Sequence, residues 1–308
     1  MSEFISTALP QSSTFNSQLR LHFVVFIWGF TAILGDLISK QALSLVWNRI
    51  LIALAVLLVY FFWQKKPLKI NAKTFAVFAF SGVIIAAHWV TFFHAIKISN
   101  VSVTLVCLSS GAFFTSILEP IFFKRKILLY EFLLGLVVIG AIAMIFALRI
   151  EFKWGIITAL SSAFLSALFS VINGKLTHKH ESELITFYEL SGGWLALTIL
   201  FVFLGELNFS LLPNTTSDWI YLVILGSICT AYPFIESVRV MRLLSPFTVM
   251  LSINLEPVYG IILAYFFLGD AEKMSPTFYS AALLIIAVLF ANAWLRKRRN
   301  KMLTQVKA

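Results

Sequence analysis

The chain has 308 residues, of which 60% are hydrophobic and only 12% charged. A soluble domain of this size has no use for so much apolar surface, whereas a bundle of bilayer-spanning helices requires it. The formal net charge of +10 comes from basic residues grouped in short polar gaps and at the C-terminus, which fits membrane topology and argues against nucleic-acid binding.

Residues 1–20 are polar and mixed, with a single base, Arg20, against the first apolar run. They lack a basic n-region followed by a short apolar core, so a disordered cytosolic tail is expected rather than a signal peptide. From Leu21 on, apolar runs alternate with short polar breaks. They predict ten transmembrane helices at about 22–38, 43–63, 74–96, 101–123, 128–149, 154–174, 184–205, 218–239, 246–268 and 276–295, followed by a basic tail over 297–308. With the N-terminus inside, 18 lysines and arginines fall on inner segments and 5 on outer ones, leaving Arg49 within a span. Both termini are therefore expected in the cytosol and the protein in the cytoplasmic membrane. Trp63, Trp154, Trp219 and Trp294 fall at span ends, where indoles favour the interface. Trp28, Trp47, Trp89 and Trp194 fall inside spans, free to pack or to line a cavity. Cys107 and Cys229 lie in apolar runs without metal-ligand spacing and are expected as buried free thiols, with no metal and no cofactor.

Sliding the chain on itself by 145 positions lays Asn100 over Ser245, Ala112 over Pro257 and Lys97 over Arg242, and the helix boundaries coincide throughout. The fold class expected is thus an all-α membrane protein of two five-helix repeats, 21–150 and 151–296. An odd number of spans per half inverts one half relative to the other, and inverted repeats build transporters with a site near the midplane.

Several spans carry polar residues. Glu256 stands in the apolar run from Val249 to Leu263, followed by Pro257. A charge near the bilayer centre costs roughly 2.5–3.5 kcal/mol or more, so such residues usually mark function and have a partner. Proline removes a backbone donor and bends the helix. On a continuous helix Ser252, Glu256 and Tyr259 would share a face. The alternative is a protonated structural acid bonded to a neighbouring helix. Arg49 is expected either to pair with Glu256, directly or through water, or to snorkel to the outer interface. His88, with Trp89 beside it, offers a ligand-contacting or proton-carrying imidazole, or a plain interhelical hydrogen bond. Tyr232, before Pro233 on the eighth span, is a further cavity candidate, as is Trp28 on the first. Glu236 and Arg239 are three apart and can neutralise each other. Ser109, Ala112 and Ser116, and Ser162, Ser166 and Ser170, form small stripes suited to close helix packing. Glu189 is expected to reach the inner interface, and Glu119 to pair locally with Lys124 or Arg125.

With Trp28-Gly29-Phe30 in the first span, Arg49 in the second, Leu255-Glu256-Pro257-Val258 in the ninth and Leu268-Gly269-Asp270 at its end, the chain resembles a ten-helix member of the drug/metabolite transporter superfamily, of the EamA type. The resemblance covers about residues 21–296. It implies two inverted five-helix repeats around a central cavity that carries small organic metabolites or drugs, often outward. The first half departs from the pattern. It has Ala112 in place of the proline, Lys124-Arg125-Lys126 in place of glycine–acid, and its own Glu119-Pro120 seven residues off register.

The function expected is secondary transport of a small organic solute, with an amino acid among the candidates, by alternating access. Glu256 is the candidate proton-coupling group and a proton the candidate coupling ion; burial and Arg49 pull its protonation in opposite directions. There is no Walker A segment for ATP. An intramembrane enzyme is the alternative, but Gly35-Asp36 and Gly269-Asp270 are not G-x-G-D, and His180-Glu181 lacks the second histidine of H-E-x-x-H. A channel or scaffold is the other, and no continuous polar lining supports a channel.

Overall fold

The computed structural model describes residues 11–148, 150–269 and 275–307, and every regular element among them is helical. The helices are α1 (Gln11–Leu37), α2 (Ala42–Trp63), α3 (Ala72–Ile98), α4 (Val101–Leu108), α5 (Gly111–Phe123), α6 (Leu129–Leu148), α7 (Lys153–Leu176), α8 (Ser182–Leu204), α9 (Thr216–Gly226), α10 (Tyr232–Val240), α11 (Pro246–Ile253), α12 (Glu256–Leu268) and α13 (Pro276–Lys307). Among the described residues eight segments are long and apolar enough to cross a membrane: seven close to the predicted spans, and an eighth, Phe15–Leu37, that starts earlier than expected. In the other two predicted spans, on α6 and α13, the apolar stretches found are the shorter Leu129–Ala141 and Pro276–Val288.

Two terminal expectations change. Helix α1 starts at Gln11, inside the stretch expected to be a disordered tail, because no glycine or proline interrupts the chain between Gln11 and Leu21. Helix α13 runs on through the basic tail to Lys307 for the same reason.

Three spanning segments are discontinuous. The span from Val101 breaks at Ser109-Ser110, and the span from Pro246 breaks at Asn254-Leu255, 145 positions later. Each N-terminus is capped by its own side chain: Asn100 accepts from Val103 N at 2.8 Å, and Ser245 accepts from Thr248 N at 3.3 Å. Lys124 then closes α5 in the left-handed region at φ 52°, ψ 42°, and Gly269, 145 positions later, closes α12 with positive φ as well, at φ 66°, ψ -136°. The missing proline and glycine of the first half therefore do not prevent the same break or a stop at the same place. The third discontinuity is a π-helical turn over Ser227–Ala231, between α9 and α10. Pro233 withholds the N–H that the Cys229 carbonyl would have accepted, which favours a wider turn at this point.

The two sequence halves pack through each other. Helix α3 lies between α7 and α8, and α1 lies against α12. Both crossings are backbone-close. A Cβ at Gly82 would collide with the carbonyl of Glu189, and a Cβ at Gly29 would stand 2.8 Å from Tyr259 Cβ. The central apolar core spans both halves and includes Trp47, Trp89, Phe93 and Phe169. Trp47 is structural: its indole donates to Thr198 Oγ1 at 2.9 Å and its ring lies 5.5 Å from that of Trp194. Cys107 and Cys229 are free and buried.

Polar ties close both ends of the bundle. At the end predicted to face outward, Lys97 Nζ donates to the carbonyls of Asp36 and Ile38 at 2.8 and 2.6 Å, and Asp218 accepts from Ser39 N at 2.8 Å. At the opposite end, Lys66 Nζ lies 3.1 Å from Glu181 and 3.2 Å from Glu183. Burial opposes the charge on Lys66, but its bonds to the two carboxylates outweigh this and hold the ammonium above its usual range. Arg239 bridges Glu183 at 2.7 Å and also pairs with Glu236, which Arg20 approaches at 3.5 Å. Glu119 pairs with Arg125 at 3.0 Å, and its other oxygen accepts from Phe247 N at 2.7 Å, capping α11 from the opposite half.

Candidate functional site

Where α1, α2, α3, α7, α10 and the α11–α12 break converge, they enclose a cavity of about 70 Å³. Its aromatic wall includes Trp28, Trp89, Phe92, Phe169 and Phe234, and hydroxyls come from Thr31, Ser166, Ser170 and Ser237. Arg49, His88 and Glu256 supply its ionisable groups. The cavity is therefore apolar-walled with a few convergent polar groups, the usual make-up of a small-molecule site.

Arg49 is 1% exposed and neither snorkels nor forms an ion pair with Glu256 within 4 Å. Its Nε donates to Thr230 Oγ1 at 2.7 Å, and its guanidinium lies 4.1 Å from the Trp89 ring centroid and 5.4 Å from that of Phe93. The π-turn explains the choice of partner. It lets Thr230 Oγ1 donate to the Leu225 carbonyl five residues back, at 2.6 Å, leaving lone pairs for the guanidinium. Nη1 is buried without a partner.

Glu256 opens α12, 6% exposed and facing the cavity from the break in its span. The start of a helix carries unsatisfied N–H groups and a partial positive charge, which suit a carboxylate. The break also corrects the shared face expected of Ser252, Glu256 and Tyr259. Ser252 donates to the Thr248 carbonyl at 3.1 Å, and Tyr259 packs edge-on against Phe26 at 5.5 Å beside Gly29. Neither lines the cavity: the break separates Ser252 from the helix of Glu256, and Tyr259, on the same helix as Glu256, is turned to the α1 contact instead. Tyr232 is also outside it: 46% exposed, it meets Phe23 edge-on at 6.4 Å.

His88 makes the interhelical hydrogen bond. Its Nδ1 lies 2.9 Å from the Ser162 carbonyl and 2.8 Å from Ser162 Oγ, which fastens α3 to α7, while its ring lines the cavity. Sequence reasoning read Ser166 and Ser170 as packing residues only, and passed over Thr31, Ser237 and Thr230. Thr31 is three positions from the candidate Trp28, so helical spacing was the available signal there; no candidate stood at that spacing from Ser237.

Comparison with known proteins follows from this geometry. A family model described as "EamA-like transporter family" matches twice, over residues 19–147 and 153–298. A protein of Archaeoglobus fulgidus described as an uncharacterized transporter is 26% identical over 141 residues, 46% of this chain and 48% of its own length. The chain thus spans about half the length of that curated relative. A crystal structure of a protein, described no further, superposes with TM-score 0.69 at 14% identity, covering 94% of this chain and 99% of the other. At that identity the likeness concerns the fold alone.

Proposed function

Because the chain belongs to the EamA-like transporter family and is a multi-pass membrane transporter, we propose that it moves a small zwitterionic organic solute, of the amino-acid class, by alternating access. The reading places α6 and α13 across the cytoplasmic membrane as the fifth and tenth spans, the two halves as inverted repeats, both termini in the cytosol, and export as the direction. One observation carries the substrate class. Arg49, with an unpartnered Nη1, and Glu256 line the same cavity, and among the described residues neither is in an ion pair within 4 Å. A carboxylate on the guanidinium and an ammonium on Glu256 would satisfy both, with the aromatic wall taking an apolar side chain. Glu256 can be neutralised by that ammonium or by a proton, which makes it the coupling group of this reading.

The test is thermal unfolding of the purified protein against amino acids, nucleosides, sugars and hydrophobic cations. An amino acid at 100 times its dissociation constant should stabilise the wild type by about 2.7 kcal/mol and Glu256→Gln far less. Stabilisation by simple carboxylates equal to that by amino acids, or full retention in Glu256→Gln, refutes a zwitterion site.

Closure at both ends supports alternating access. Glu183 accepts from Lys66, between α2 and α3, and from Arg239 on α10. Partly exposed pairs of this kind contribute about 0.2–1 kcal/mol each. Removing both pairs, Glu183→Gln should therefore shift the population opened at that end about two- to thirtyfold. A cysteine introduced at Ser237 should then react correspondingly faster with a membrane-impermeant maleimide added on that side. An unchanged rate would remove Glu183 from the closure.

A further inference from the structure

Glu189 is a buried acid that the cavity does not use. It does not reach the interface as expected; it is fully buried on α8, where α3 and α7 pack over it. Asn173 Nδ2 donates to its Oε1 at 2.9 Å, while Oε2 is buried with no partner. Three neutral oxygens nearby are also buried and unpartnered. They are Asn173 Oδ1, Thr186 Oγ1 one turn back on α8, and Ser81 Oγ, which stands beside the same carboxyl without an aligned hydrogen bond.

The charged and titratable groups on the surrounding helices are engaged elsewhere. Arg49 of α2 lies on Trp89, and Tyr60 of α2 on Phe61. His88 of α3 is held by Ser162, and Lys175 of α7 lies over Phe122 and Phe123. Tyr188 of α8 donates to the Leu68 carbonyl, and Glu183 and Glu236 share Arg239 of α10. Among the described residues, therefore, no cation compensates Glu189. An uncompensated buried carboxylate costs several kcal/mol, and native interiors seldom leave so many polar atoms idle in one place. Carboxylate, amide and hydroxyl oxygens are ligands for a hard cation.

We propose that Glu189, Asn173 and Ser81 form an internal site for one monovalent cation, either a proton or a dehydrated sodium ion. Asn173 is one turn along α7 from Phe169 and Ser170, which line the solute cavity, so occupancy of the site bears directly on the cavity wall. Its place in a transport cycle rests on the transporter reading. Cation binding does not, and it can be measured with no solute present.

The experiment is thermal unfolding of the full chain in detergent, in sodium chloride and in choline chloride, from mildly acidic to mildly alkaline pH. With sodium as the ligand, sodium raises the wild-type midpoint above the choline value. With a proton as the ligand, the two salts agree and the midpoint falls as rising pH strips the proton and leaves the buried charge. Because Glu256 also takes up a proton in the transporter reading, the comparison is made in Glu256→Gln, where adding Glu189→Gln removes the response in either case. Ser81→Ala, which deletes only an uncommitted hydroxyl, should fold normally and weaken the apparent cation affinity about tenfold. A wild type indifferent to both sodium and pH overturns the proposal, as does a response surviving when Glu189→Gln is added to Glu256→Gln. Should Glu189→Gln fail to fold, an unweakened response in Ser81→Ala overturns it.

Discussion

Arg49→Met is expected to leave the protein folded and to abolish its recognition of carboxylate-bearing solutes. The guanidinium is fully buried, with one hydrogen bond from Nε and Nη1 unpartnered. A buried charge so sparsely satisfied contributes little to folding, and replacing buried ionic groups with apolar ones of similar volume is often neutral or stabilising. Methionine fills the same channel against Trp89 and Phe93. Thr230 loses an incoming bond but keeps its own donation to the Leu225 carbonyl. The unfolding midpoint should thus stay level or rise. Recognition should suffer heavily, since removing one partner of a desolvated charge pair costs about 2–5 kcal/mol, or roughly 30- to 5,000-fold in affinity. Ligand-induced stabilisation and proteoliposome transport, measured side by side, separate the two effects. A variant that still binds amino acids as the wild type does would remove Arg49 from the solute site. One that cannot fold would make it a structural residue.

Gly82→Ala should be among the most destabilising single-methyl additions in the chain. The new Cβ would meet the backbone carbonyl of Glu189 and, at 2.9 Å, the backbone N of Gly193, neither of which can rotate away as a side chain would. Helices α3 and α8 must separate, which loosens the interface between the sequence halves. Overpacking of this kind costs about 1–3 kcal/mol, and backbone-to-backbone contact places Gly82 at or above the upper end. Gly140→Ala on α6 is the control. Nothing lies within 4 Å of its new Cβ, so the helix should gain about 0.5–1 kcal/mol. Denaturant unfolding in mixed micelles measures both. Equal midpoints for the two variants would mean that α3 and α8 are not held at backbone contact.

What the sequence alone determined about this protein are its one-dimensional properties. A 60% hydrophobic chain with spanning-length apolar runs is a membrane protein, because a bilayer admits only backbones that bond internally. The length of each run then sets the helix boundaries, and eight of the predicted spans are matched by long apolar helices. The breaks in the fourth and ninth spans lie at the same repeat offset that matching boundaries had suggested. The residue types of the cavity were partly legible as well. An arginine, a histidine and a glutamate stood out deep in apolar runs, and Trp28, Trp89, Arg49, His88 and Glu256 do line one cavity.

Partnership was decided only by the tertiary structure. Arg49 meets Thr230 and Trp89 directly, with Glu256 on the same cavity beyond ion-pair distance, because a π-turn on one helix brings a hydroxyl to it. Ser252 leaves the face of Glu256 because the span breaks between them, and no helical period survives a break, while Tyr259 on the same helix is taken up by packing on Phe26 and Gly29. Glu189 is sealed in the interior because Gly82, Gly192 and Gly193 let two helices touch, a distance that no spacing along one strand of sequence encodes. Length and hydropathy act along a chain; which side chain completes another depends on how closely, and at what rotation, separate helices meet.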